Sequence, residues 1–159
     1  MAGPVASILA REFSEANRFW LECFIREISD SISGVDFWVV PKRILGHGLS
    51  EGRPFFWEEQ RPTDEALTAE FSERFGFEPT TEVVFGAMCN NPDDHRVLGR
   101  ICEETARQFG AVVSFGGELG PIPPACRESG KLLKIDGDTF GDAEFLRNWL
   151  AAPNFRMVK

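Results

Sequence analysis

Apolar and polar residues follow two different periods along this chain, and the switches between them outline its elements. Residues 4–10 form a short apolar run and predict a first strand. From Phe13 to Ile32 apolar side chains recur at spacings of three and four, among them Phe19, Trp20, Cys23, Phe24, Ile28 and Ile32. That period predicts one long amphipathic helix, closed by Ser33-Gly34. Asp36 to Val40 is β-branched and aromatic and stops at Pro41, which predicts a strand. Residues 42–54 hold Gly46, Gly48 and Gly52 and read as a loop, and residues 54–58 return as an edge strand. Thr63, followed by Asp64 and Glu65, predicts a helix start, with Leu67, Phe71 and Phe75 on one face and Gly76 as its stop.

The sharpest pattern runs from Val83 to Phe115. VVFGAMC (residues 83–89) reads as a buried strand. Asn91 is a strong N-cap, Pro92 suits the first helical position, and Asp93 and Asp94 complement the dipole. Leu98, Ile101, Cys102, Thr105 and Phe109 share a helical face that ends at Gly110, and residues 111–115 form a second short strand. Strand, helix and strand with tight joints predict a right-handed parallel crossover. A Gly/Pro-rich loop follows over residues 116–130, then a strand over 131–136 and a last helix capped by Asp142. The fold expected is α/β or α+β, a mixed sheet flanked by about four helices in a single domain spanning residues 1–159.

Composition sharpens this picture in two ways. The chain has 159 residues, 15 Phe, 4 Trp and no Tyr, so the core is Phe-rich and tyrosine chemistry is excluded. Its net charge of −8 is concentrated: residues 51–110 carry 13 acidic and 6 basic groups, whereas 1–50 carry 6 and 5 and 111–159 carry 6 and 6. An acidic middle repels phosphate backbones and attracts a basic protein. Nucleic acid is therefore not an expected partner. No run reaches the roughly 18 apolar residues of a membrane span. The N-terminal MAGPVASILARE lacks the basic start of a signal peptide. The four cysteines form no CxxC pair, so the expected setting is a reduced cytoplasm, without metal or cofactor.

The candidate chemistry is thin. Gly48-Leu49-Ser50-Glu51-Gly52, next to His47, spells a nucleophile elbow, but that motif needs a strand before the serine and a helix after it. Cys89 and His95 lie at a strand-to-helix junction, where a helix start lowers a thiol pKa. Asp93 and Asp94 oppose a thiolate there, and helix capping explains them without chemistry. Asp93, Asp94 and His95 are adjacent on a helix and diverge, so they make a poor metal set. Phe115 to Gly120 lacks the lysine and spacing of a phosphate loop. The acids Glu58, Glu59, Asp64, Glu65, Asp93, Asp94, Glu103 and Glu104 are the sharper feature. Converging in space, they would steer a basic partner, with Trp57 as aromatic anchor.

Two stretches carry a resemblance. One is AMCNNPDDHRVLG (87–99) leading into GAVVSFGG (110–117); the other is FLRNWL (145–150) followed by PNFRMVK (153–159). Together they resemble an uncharacterised bacterial family of small single-domain proteins, a domain of unknown function. Small acidic proteins of this kind are similar to the immunity proteins of polymorphic-toxin systems. The resemblance implies a non-enzymatic protein that binds a cognate toxin and occludes its active or substrate site. The alternative is a small enzyme using Cys89 and His95.

Overall fold

A computed structural model describes residues 2–158. In chain order the elements are β1 (Val5–Ala10), α1 (Glu15–Ile28), β2 (Ser29–Ser33), β3 (Asp36–Val39), α2 (Pro41–Leu45) and β4 (Arg53–Gln60). A 3-10 turn (Asp64–Leu67), α3 (Ala69–Phe75), β5 (Thr81–Ala87), α4 (Pro92–Phe109) and β6 (Val112–Ser114) follow. The chain then forms α5 (Pro124–Glu128), β7 (Leu132–Ile135), β8 (Asp138–Asp142) and α6 (Ala143–Leu150). All eight strands join one sheet in the order β2-β3-β4-β5-β1-β6-β8-β7, and each ladder is antiparallel.

The expected sheet-and-helix architecture with a strand–helix–strand unit is present, and the topology of that unit is specific. β5 and β6 run in the same direction, but β1 lies between them and pairs antiparallel with both. Asn91 caps α4, Pro92 opens it, and Gly110 ends it at φ 59°. β1 is thus central and buried on both faces, with Ala6, Ile8 and Ala10 towards one and Ser7 and Leu9 towards the other.

Several boundaries differ from the periodicity reading. The first helix stops at Ile28, and Ser29–Ser33 becomes β2. Serine and aspartate side chains compete with the helical backbone, and β2 instead pairs with β3 across a two-residue turn with Gly34 at φ 63°. β4 is an interior strand rather than an edge, pairing β3 and β5. The helix expected from Thr63 is split: a 3-10 turn comes first, and Thr68 caps α3 by accepting from the Phe71 N–H at 3.2 Å. The loop regions 42–54 and 116–130 contain the short helices α2 and α5. β8 is an added strand, joined to β7 by an Asp136-Gly137 turn with both residues at positive φ, 48° and 90°. That geometry is the two-residue hairpin that Asp-Gly favours.

The sheet has unequal faces. On one, α1, α4 and α6 bury the main core, including Phe37, Phe55, Phe85, Phe115, Phe145 and Trp149. On the other, α3 and the 3-10 turn cover only the β1-β6-β8-β7 half. There Phe71 meets Phe140 edge to face at 5.5 Å, over Leu9, Val112 and Ile135. The helices that touch β2, β3 and β5 most belong to the main core; on the second face the side chains of β2 to β4 are exposed or half-buried, whereas Glu82, Val84 and Gly86 of β5 are buried. No helix of the described residues is long and apolar enough to cross a membrane.

Gly86 shows how tightly that second face is built. It pairs with Phe56 across the β4–β5 ladder, and the Phe56 ring lies over it, so an added Cβ would overlap ring atoms. Gly86→Ala is expected to destabilise the fold by about 1–3 kcal/mol in urea unfolding, the usual cost of overpacking. A change within about 0.5 kcal/mol would show that Phe56 leaves the sheet freely.

Candidate partner-binding face

Strand alternation decides which side chains reach this second face, open along β2 to β4. Along β4, Phe55 is fully buried in the main core, so Arg53, Trp57 and Glu59 point towards the helices with it. Pro54, Phe56, Glu58 and Gln60 point the other way. Neighbouring β3 contributes Asp36 and Trp38 to the open side, because Phe37 and Val39 face the core. β5 contributes Glu82, Val84 and Gly86, and β1 contributes Val5 and Ser7. The result is a part-exposed apolar strip of Trp38, Pro54 and Phe56, continued by Val5 at 42% exposure. The ionisable side chains on this strip of strands are Asp36, Glu58 and Glu82, with no lysine or arginine among them.

Beside the strip, over β1, lies a cleft of about 270 Å³. Ser7, Glu82, Ser114, Gln60 and Asp138 line it, together with Val84. Glu82 is only 4% exposed; the Ser7 hydroxyl donates to its Oε1 at 2.5 Å, and its Oε2 is buried with no hydrogen-bond partner among the described residues. Burial, and next the Glu65 carboxylate, raise the Asp138 carboxyl above its ordinary value. Carboxyl groups thus gather in the cleft with no balancing cation among the described residues.

The acids singled out from the sequence do not form one surface. Glu58 and Glu59 are adjacent on β4 and so lie on opposite faces; Glu59 forms an ion pair with Arg18 of α1. Trp57 packs against the main core instead of standing as an exposed anchor. Asp64 is exposed on the 3-10 turn, with Glu65 half-buried beside it. Asp93 is half-buried at the start of α4. Asp94 is 1% exposed and binds Arg53 through both oxygens, at 2.5 and 2.8 Å, while accepting the Asn91 backbone N–H at 2.9 Å. This carboxylate ties α4 to β4 and has no free face for a partner. The hydrogen bonds that Arg53 donates to Asp94 raise its pKa further. Glu103 is 2% exposed and pairs with Arg100, at 2.8 Å, and Arg107; burial raises its pKa. Glu104 is partly exposed and binds the same two arginines.

The alternative chemistry fares poorly on geometry. The His95 ring is 3% exposed; its Nδ1 accepts the Met157 backbone N–H at 3.1 Å, and its Nε2 lies 2.9 Å from Asn90 Oδ1. With Nδ1 accepting, the proton sits on Nε2 and is donated to Asn90. One nitrogen thus holds the C-terminal segment at Met157 and the other the Asn90 side chain, which leaves no lone pair to activate Cys89. Ser50 lies in the connection between helix α2 and strand β4, the reverse of the strand-to-helix order an elbow requires. Burial alone pushes the Cys102 thiol far up, as suits a core residue.

The sequence reading missed Trp38, Phe56, Ser7, Glu82, Ser114 and Asp138. One signal was available: Glu82 is a charge inside an otherwise apolar strand, TEVVFGA, and such a charge is seldom buried unless it has a partner. No curated protein and no solved structure matches the chain. A family model does match, across residues 2–159, and with it the chain belongs to the Family of unknown function (DUF6368).

Proposed function

We propose that this chain is a protein-binding module without catalysis of its own: a bacterial immunity protein that occludes the active or substrate site of a cognate toxin in the cytoplasm. The observation that carries this reading is the half-buried apolar strip of Trp38, Pro54 and Phe56, whose ionisable companions on the same strand face, Asp36, Glu58 and Glu82, are all acids. Aromatic anchors inside a polar rim are the usual anatomy of a tight interface. Its sign of charge, in a chain of net charge −8, fits a basic partner. Such complementarity speeds encounter and suppresses wrong partners.

The test is co-expression with the toxin encoded beside this chain. Growth is expected to be restored, and the purified pair is expected to form a complex whose association rate falls steeply as salt rises. Unchanged toxicity in the presence of the folded protein would overturn the reading for that pair.

A further inference from the structure

The cleft over β1 asks for a cation that the described residues do not supply. Glu82 is held in the middle of the sheet with one oxygen tied to Ser7 and the other unpartnered. A buried carboxylate oxygen left so is costly, and native structures seldom keep one without a use. Among the described residues it forms no ion pair, and no lysine, arginine or histidine of those residues lines the cleft. Asp138 stands in the same lining, its carboxyl already raised by burial and by Glu65. The remaining wall is of two kinds: hydroxyls and an amide from Ser7, Ser114 and Gln60, and apolar surface from Val5, Val84 and Val158.

This is the chemistry of a receptor for an alkyl chain that ends in a cation. An ammonium fits better than a guanidinium. The planar fork of a guanidinium is met best by two open carboxylate oxygens, and the Ser7 hydroxyl already takes one lone pair of Glu82 Oε1, leaving Oε2 as the oxygen without a partner. An ammonium has three donors that turn freely, and these can be shared between Glu82 Oε2 and the neighbouring hydroxyl and amide acceptors. The aliphatic stem of a lysine would lie along Val5 and Val84, the arrangement by which such stems cover apolar surface. A volume of about 270 Å³ has room for one such side chain. The cleft opens beside the Trp38–Phe56 strip, on the same face of the sheet.

We infer that this cleft receives one lysine side chain of the basic partner, with its ammonium seated on the free oxygen of Glu82. The inference rests on the reading that the open face meets a basic protein, and it adds the specific contact that reading lacks.

The probe is n-butylammonium, which reproduces the end of a lysine side chain, followed by NMR on the full chain. Saturable shifts at Glu82, Ser7 and Ser114 are expected in the millimolar range, and n-butanol is expected to produce none. Glu82→Gln keeps the shape and removes the charge. It is expected to weaken n-butylammonium, and separately the toxin, by about 10- to 100-fold, the loss of a hydrogen bond to a charged group. The titration of the unmodified protein decides the matter even if that variant folds poorly. Absence of saturable shifts, or equal shifts with n-butanol, would overturn the cation site. Binding of n-butylammonium at Glu82 with toxin affinity untouched by the substitution would overturn the lysine contact. A toxin that is not neutralised, with n-butylammonium still bound at Glu82, would sink the immunity reading and leave the cation cleft standing.

Discussion

Replacing Arg53 by alanine is expected to lower the unfolding free energy by about 3–5 kcal/mol, the cost of stranding a buried charge. Asp94 is 1% exposed, and among the described residues Arg53 is its only cation partner, meeting both its oxygens at 2.5 and 2.8 Å. The pair joins the start of α4 to β4. Without the guanidinium, the carboxylate keeps its bond to the Asn91 N–H but loses its counter-charge in a place water hardly reaches. For a chain of this size the melting temperature should fall by about 6–20 °C. Urea unfolding at neutral pH is the direct measurement. The companion variant Asp94→Asn, combined with Arg53→Ala in a double-mutant cycle, separates the coupling from the burial cost. A loss below about 1 kcal/mol would mean that Asp94 is solvated once Arg53 is gone.

The second large effect concerns binding. Trp38→Ala is expected to weaken the toxin complex by at least about 2 kcal/mol, or roughly 30-fold, as aromatic anchors do at interface centres. Its effect on the stability of the free protein should be near 1 kcal/mol, because the ring is already part-exposed. Trp57 provides the contrast. It sits one strand away with its ring turned to the main core, so Trp57→Ala is expected to cost about 2–3 kcal/mol of stability. The affinity of the protein that remains folded should be kept. Calorimetric titration of both variants, set beside their unfolding curves, checks the pair. The reverse outcome, with Trp57 critical for the complex and Trp38 indifferent, would place the interface on the helical side.

The two tryptophans show what kind of information each level of description holds. A strand alternates its faces with period two, so neighbours such as Trp57 and Glu58 part company the moment the strand forms. Counting acids over a stretch of sequence cannot register this. Glu58 and Glu59 looked like one acidic edge; in the fold, Glu59 pairs with Arg18 of α1 and Glu58 faces the open side. Asp94 and Glu103 looked like surface charge on a helix; they are buried because arginines from β4 and from the next turns of α4 reach them.

Local signals were strong wherever the backbone itself imposed the choice. Asn91, Pro92 and Gly110 bound α4, Asp142 caps α6 by accepting the Phe145 N–H at 2.9 Å, and Gly76 ends α3 at φ 81°. These are short-range demands: a cap needs one acceptor near three N–H groups, and a left-handed stop needs a residue without Cβ. Asp136-Gly137 was equally local and would have announced the β7–β8 hairpin. By contrast, the serines and aspartate of residues 29–33 disfavour helix but do not say that the segment pairs with β3, since that partner is ten residues further along.

The strand–helix–strand unit and the Phe-rich, tyrosine-free core could be read from the order of residues, because helix caps, apolar periods and composition act within a few positions. That β1 would slip between β5 and β6, that the second face of β2 to β4 would be left exposed or half-buried, and that Ser7, Glu82, Ser114 and Asp138 would meet around a single cleft could not. Those residues are up to 131 positions apart, and what brings them together is sheet register, which is set by long-range pairing and by the burial of whole faces rather than by any neighbour along the chain.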